Sequence, residues 1–370
     1  MKSRPIAYPP RNSTPHPDNI AMSRNNDTAG ASILPADRKV IAANERTRRR
    51  ALLAVIGLTG LAVALPAMAQ TFPTRPVKIT TPFPAGSGPD AALRIVAERL
   101  AKKWGQPVVI ENKAGGNGFI AVAAFKQGSS DGHDLLQLDN NHLTTHPHTY
   151  SKLPYDVERD FAPLHMILRT PFFVAVAADS PFKTADDIVA AALARPGKVT
   201  YGSWFIGSPG HMGALRLQAM KGVEMLHVPY RDFGQLYASV ATKEVDWALA
   251  SIASAGAMER AGRIRFIALA AAKRDPLYPN VPATGEMPTL RGYAVSGWTG
   301  LLAPKGAPAA VRERITADIA EVLATEDVLE RYRAIGYEAP AVGGTAFTDL
   351  IRHESQAWAT TIRAANLKLD

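Results

Sequence analysis

The chain has no cysteine among its 370 residues. That excludes disulfides, thiol chemistry and lipid attachment at a cysteine, and it suits an oxidising compartment without a disulfide framework. Long apolar runs are scarce as well. Residues 51–65 form a short one, below the roughly 20 residues a spanning helix needs, and Gly57 and Gly60 interrupt it. Catalytic fingerprints are missing too. No G-x-S-x-G elbow exists, since Gly207 and Ser208 are adjacent. No G-x-x-x-x-G-K-[ST] or G-x-G-x-x-G run is present, because Gly86-x-Gly88 stops short. The spacing of Ser208 and His211 permits a Ser–His pair, but no acid is placed to orient it, so an enzyme is disfavoured. No basic stripe with interleaved aromatics points to nucleic acid.

What is present begins with a leader. Residues 1–45 are dominated by Pro, Asn, Ser and Thr without apolar period, the composition of a disordered segment. Residues 46–69 read as a signal peptide: a basic run at Arg46-Thr47-Arg48-Arg49-Arg50, the short apolar run, then Ala67-Met68-Ala69. Cleavage is expected after Ala69. Thr47-Arg48-Arg49 leaves twin-arginine export open beside the general route, and Met22 is an alternative start. Removing residues 1–69 takes ten Lys/Arg and four Asp/Glu from totals of 42 and 33, leaving a net charge of about +3 in place of +9. The basic pI of the full sequence therefore carries no argument for a nucleic-acid partner.

The remaining 300 or so residues alternate strand and helix patterns, enough for two α/β domains. The organising stretch is Thr80-Thr81-Pro82-Phe83-Pro84-Ala85-Gly86-Ser87-Gly88-Pro89-Asp90. Before it, Val77-Lys78-Ile79-Thr80 alternates like a half-buried strand. After it, Leu93, Val96, Ala97, Leu100 and Trp104 recur at helical spacing. Ser87 or Gly88 suits the N-cap and Pro89 the first helical position. A helix start of this kind offers unpaired N–H groups and a positive dipole end to an anion without any basic side chain. Gly207-Ser208-Pro209-Gly210-His211 repeats the device, so two helix starts could face each other. Further strands are expected at 107–111 (buried), 135–138, 172–177, 199–201, 226–228, 245–250 and 266–270. Helices are expected at 119–125, 186–194 and 210–220, and beyond Trp298 at 308–323, 326–335 and 345–365.

Several motifs in order resemble one family. TFPTRPVKITTPFPAGSGPDAALRIVAERL, GQPVVIENKAGGNG, SDGHDLL, LPYDVERDFAPL, YGSWFIGSPGHMGAL, HVPYRDFG, AAAKRDPLYPNVPATGEM and GWTGLLAPKGAP are similar to the Bug family, the substrate-binding proteins associated with tripartite tricarboxylate transporters. The resemblance runs from about residue 72 to the C-terminus. It implies a two-domain periplasmic binding protein of type II-like α/β architecture, each domain a doubly wound mixed sheet flanked by helices, with ligand in the interdomain cleft. The chain would cross twice, giving one domain from 70–170 and 293–370 and another from 171–292. It also implies a small organic carboxylate ligand, inner-membrane permease partners, a monomer, a periplasmic location and no cofactor. A sensor subunit presenting the same ligand to a signalling receptor is the alternative.

On that resemblance the first ligand loop comprises Phe83, Pro84, Ala85, Gly86, Ser87, Gly88 and Asp90. Ser203, Trp204, Gly207, Ser208 and His211 form the facing one. Asn140 and His142 follow a strand, where α/β ligand loops cluster, and Tyr230 is placed to close over ligand. Asp90 is equally suited to fixing its own loop. Trp204 and Phe205 stand where a slim glycine-rich loop is usual. A compact or planar mono- or dicarboxylate, aromatic or not, is therefore expected in preference to a tricarboxylate such as citrate, unless Trp204 turns into the core. His142, His146 and His148 match no regular zinc spacing, and Pro147 constrains their loop.

Overall fold

The computed structural model describes residues 72–370; the leader and signal peptide expected in 1–69 lie outside them. The first half of the chain lays down β1 (Val77–Thr81), α1 (Gly88–Trp104), β2 (Val108–Asn112), α2 (Phe119–Phe125), β3 (Asp134–Asp139) and the long β4 (Phe161–Pro171). A wide π-helical turn, Asn141–Thr145, follows β3 after Asn140. Next come β5 (Phe173–Ala177), α3 (Ala185–Ala194), β6 (Thr200–Ser203), α4 (Pro209–Lys221) and β7 (Leu226–Pro229). After α5 (Phe233–Ala241), β8 (Trp247–Ala250), α6 (Ile252–Arg260) and β9 (Ile264–Leu269), the chain enters β10 (Ser296–Pro304). It finishes with α7 (Ala309–Leu323), α8 (Glu326–Ala334) and α9 (Gly344–Ala364).

Two five-stranded sheets result, ordered β2-β1-β3-β10-β4 and β7-β6-β8-β5-β9. In the first, β1 runs parallel to β2 and β3, and β10 runs antiparallel to β3 and β4. The second repeats the plan, with β6 parallel to β7 and β8, and β5 antiparallel to β8 and β9. The antiparallel member of each sheet is the strand by which the chain enters it. Both faces of both sheets are covered, as mixed sheets in α/β proteins require. Leu93, Val96 and Leu100 of α1 pack with Ile315 and Ile319 of α7 on one face of the first sheet, and Phe125 and Phe347 on the other. Ile188 and Leu217 cover one face of the second sheet, Leu236 and Val240 the other.

The chain passes between sheets at Pro171–Phe173 and again at Val295–Ser296, and the two passages pair with each other. Ser296 lies opposite Pro171 and Gly297 opposite Thr170, while the Phe172 N–H donates to the Val295 carbonyl at 3.3 Å. A further link lies in the C-terminal helix. Trp358 and Ile362 of α9 pack on Met212 of α4, and the Arg216 guanidinium sits 5.9 Å from the Trp358 ring centroid. Beyond α9, the Leu369 N–H donates to the Thr149 carbonyl at 3.0 Å.

Sequence patterning misses two strands. β4 and β10 were not expected, because Pro163, His165 and Pro171 interrupt the apolar residues of one, and Gly297, Thr299 and Gly300 those of the other. The strand at 108–112 is an edge, not a buried strand: Val109 is 52% exposed. β1 is covered on both faces, with Thr80 and Thr81 fully buried, where its alternation suggested a half-buried strand. Pro89 takes the second helical position of α1.

Gly300 illustrates how tightly β10 is covered. A Cβ there would stand 2.3 Å from Cζ of Phe347. Gly300→Ala is expected to destabilise the fold by about 1–3 kcal/mol through overpacking. Denaturant unfolding measures this, and an unchanged midpoint would show that Phe347 yields freely.

Candidate functional site

The first loop is held by Asp90. Its carboxylate accepts from the Gly86 N–H (2.8 Å), from Arg94 Nε (2.8 Å) and Nη2 (3.1 Å), and from Asn112 Nδ2 (2.7 Å). Asn112 also donates to the Phe83 carbonyl at 2.9 Å. Burial alone would raise the Asp90 pKa; the hydrogen bonds from Arg94, Asn112 and Gly86 outweigh it and hold the carboxyl below its ordinary value. With its side chain 1% exposed and both oxygens engaged, Asp90 shapes the loop and offers nothing to a ligand. Gly86 lies at φ +80°, in the left-handed region that glycine enters at little cost.

Ser87 is the N-cap of α1, yet no side chain caps this helix. The Ser87 hydroxyl turns away and donates to the Pro84 carbonyl at 2.7 Å. Behind the helix start runs a buried relay. Thr81 Oγ1 donates to Gln137 Oε1 (2.7 Å), and Gln137 Nε2 donates to the Pro89 carbonyl (3.2 Å) and to Thr299 Oγ1 (3.1 Å). The start of α1 is thereby pinned to β1, β3 and β10, with its first N–H groups left without a side-chain acceptor.

The facing loop is built differently. The Ser208 hydroxyl accepts from the His211 N–H at 3.3 Å and so caps α4, and the Gly207 N–H donates to His211 Nδ1 at 2.9 Å. Ser203 Oγ lies 3.0 Å from the Phe205 carbonyl and 2.7 Å from His227 Nε2. The imidazoles of His211 and His227 stack at 4.0 Å with 8° between planes, and Tyr201 stacks on His227 at 4.9 Å. Trp204 packs against Phe172 and Phe233 at 5.6 and 5.1 Å. Its six-membered ring also covers Gly210, where a Cβ would meet Cζ3 at 2.7 Å. The helix start that the sequence offered as a second anion site is capped by Ser208 and roofed by an indole.

Between these loops lies a cleft of about 570 Å³. Of the residues expected at the site, the cleft brings together Phe83, Ser87, Gly88, Asn140 and Trp204. Pro84, Ala85 and Gly86 form an exposed turn outside its wall. Asp90, Ser203, Gly207, Ser208, His211, His142 and Tyr230 do not line it; the first five are engaged within the two loops. The Tyr230 ring packs beneath Gly202, and its hydroxyl is buried without a partner among the described residues. His142 Nδ1 lies 2.5 Å from Asp139 Oδ1. Ser208 Oγ meets the His211 backbone, not its ring, so no Ser–His dyad forms there. Among the described residues no group of three His, Cys, Asp or Glu is arranged to hold a metal.

The wall also holds residues that pattern reading did not pick out. Thr170, Phe172 and Thr299 come from the unexpected strands and the passage between sheets. Ser251 and Ser254 start α6, and Tyr337 precedes the last helix. Tyr337 explains Gly88: a Cβ on that residue would stand 1.9 Å from the tyrosine oxygen. Trp298 lines the floor, and its indole N–H donates to Glu354 of α9 at 2.9 Å. Burial pushes the Glu354 carboxyl up to about 7. The C-terminal tail reaches the back of the second loop, where Leu369 Cδ1 would lie 3.1 Å from a Cβ on Gly207.

Residues 92–367 match the family model described as tripartite tricarboxylate transporter family receptor. The chain is 33% identical over 307 residues to a UPF0065 protein of Pseudomonas sp. (strain P51), covering 81% of this chain and 91% of that one. Among solved structures, R. palustris Rpa4515 with adipate matches with a TM-score of 0.69 at 27% identity, over 80% of this chain and 99% of that chain. MatC (Rpa3494) from Rhodopseudomonas palustris with bound malate matches at 0.65 and 26%, over 79% and 100%.

The histidine stack supplies a pH dependence. Burial, and for His211 repulsion by His227 as well, pushes His211 down to about 3 and His227 down to about 4. Since both lie below the ordinary value of about 6.5, the stack's contribution is full above pH 6.5 and is lost as the pH falls toward 4. Each imidazole then costs about 1.4 kcal/mol per pH unit. Urea unfolding between pH 7.5 and 5 should show this loss in the wild type and a shallower one in His227→Gln. Equal slopes would remove the stack as its source.

Proposed function

The chain belongs to the tripartite tricarboxylate transporter receptor family, and on that premise we propose that it captures a small organic monocarboxylate in the periplasm. It delivers this ligand to the membrane permease subunits of a transporter of that type. Export follows from the signal peptide, with cleavage after Ala69. The segments 70–170 with 293–370, and 171–292, act as two domains that close on the ligand about the paired passages at Pro171 and Ser296. The observation that carries this reading is the start of α1, open to the cleft with no side-chain cap and no Lys or Arg on the wall. Such a helix start holds one carboxylate through backbone N–H groups and the positive end of the dipole.

One anionic end is preferred over two, because α4 is capped by its own Ser208 and covered by Trp204. What that side of the cleft offers is aromatic surface: Phe172, Trp204, Phe205 and Phe233. A planar ring against Trp204 gains about 0.5–1.5 kcal/mol beyond its buried area. The adipate and malate held by the two structural neighbours are small organic carboxylates, which supports the class and leaves the identity to be measured.

A thermal-shift and calorimetry panel of benzoate, terephthalate, succinate, aspartate and citrate tests the reading. Benzoate-like ligands should bind best and citrate worst. Gly86→Val forces a β-branched residue into the left-handed region and should abolish binding while the fold persists. Trp204→Gly should lower the rank of the aromatic ligands. Wild-type affinity in Gly86→Val would remove the first loop from the site. Citrate as the tightest ligand would overturn the one-carboxylate reading.

A further inference from the structure

The cleft wall carries one charged side chain among the described residues, and it is an acid. Asp139 ends β3 and lines the cavity. Its Oδ1 accepts from the His142 N–H at 3.1 Å and faces His142 Nδ1 at 2.5 Å. Oδ2 has no partner among the described residues, and the side chain is 22% exposed. Gln137, two residues earlier on the same face of β3, reaches the Pro89 carbonyl in the first turn of α1. By the period-two alternation of a strand, Asp139 projects on the side where that helix begins. On the same wall, the Thr170 hydroxyl is buried and has no partner among the described residues.

A carboxylate ligand entering this cleft meets two fields of opposite sign. The α1 start attracts its anionic end. Asp139 repels any second anion and leaves one carboxylate oxygen to be matched by a donor. A hydroxyl would pair the oxygen but not the charge; a cationic amine would do both. Resting on the carboxylate reading above, we propose that Asp139 is the specificity-determining residue of the cleft. The ligand class it selects is an aromatic amino carboxylate, with carboxylate at the α1 start, ammonium at Asp139 Oδ2 and ring against Trp204 and Phe172.

Calorimetry with probes on one skeleton tests this: L-phenylalanine, 3-phenyllactate, 3-phenylpropanoate, benzylsuccinate and L-phenylalaninamide. Wild type should bind L-phenylalanine at least tenfold more tightly than 3-phenylpropanoate or 3-phenyllactate, and benzylsuccinate most weakly. Asp139→Asn keeps the oxygen that accepts from the His142 N–H, and it should bring the first ratio to within about threefold. A ratio unchanged in a variant of native melting temperature would overturn the proposal. So would 3-phenylpropanoate or 3-phenyllactate equalling L-phenylalanine in the wild type, or failure of the whole series to bind. Should the variant not fold, the wild-type ratios decide. L-phenylalaninamide binding as tightly as L-phenylalanine would instead sink the carboxylate reading while leaving the ammonium contact at Asp139 in place.

Discussion

The two passages of chain between the sheets are hydrogen-bonded to each other, and the arrangement of the cleft follows from that pairing. Pro171 opposite Ser296 and Thr170 opposite Gly297 put the connecting strands side by side, so the sheets share a short two-stranded seam. Each strand leaving the seam enters its sheet antiparallel to the strands beside it. The parallel strands of both sheets then deliver their helix starts toward the same gap. A ligand in the gap touches the seam itself, through Thr170, Phe172 and Gly297. On the closure reading proposed above, occupancy and relative orientation of the sheets would be coupled at this one place.

Much of this was legible in the sequence, and the part that was not has a physical reason. The loop from Pro82 to Gly88, the helix after it and the second loop at Ser203–His211 announce themselves through local chemistry: glycine, proline and serine at positions where caps and tight turns require them. The seam does not, because β4 and β10 are long-range partners. Their prolines and glycines are tolerated for packing reasons visible only in three dimensions, such as Phe347 over Gly300. Local chemistry also over-assigned the site. Asp90, Ser208 and His211 lie in the two loops that flank the cleft, but their polar atoms are spent on the loops. Tyr337 carried no local signal at all; its place is fixed by Gly88, some 250 residues away in the chain.

The cleft is sparing in charge, with Asp139 the one ionic side chain on its wall among the described residues. Among the described residues its wall holds no Lys, Arg or His, so on the reading proposed above attraction for an anion would come from peptide dipoles, and selectivity from the one acid and the aromatic side chains. Dipolar attraction of this kind is short-ranged and geometry-dependent, in contrast to a guanidinium that would follow a ligand through several poses. This accounts for the rigid framing of the first loop by Asp90, Asn112 and Arg94, and for the buried relay through Gln137. The N–H groups work only if they do not move.

The C-terminal tail has a practical corollary. Leu369 rests against Gly207, and the terminal Asp370 side chain accepts from both the N–H and the hydroxyl of Ser151. Residues 369 and 370 are therefore wedged behind the second loop. A purification handle fused after Asp370 would begin within a residue or two of that loop and could prise it from Leu369, altering affinity while every cleft residue remained native. The same proximity has a use. A small environment-sensitive dye placed at position 369 or 370 would sit against the second loop, and on the closure reading proposed above would make the chain an optical reporter of its own occupancy.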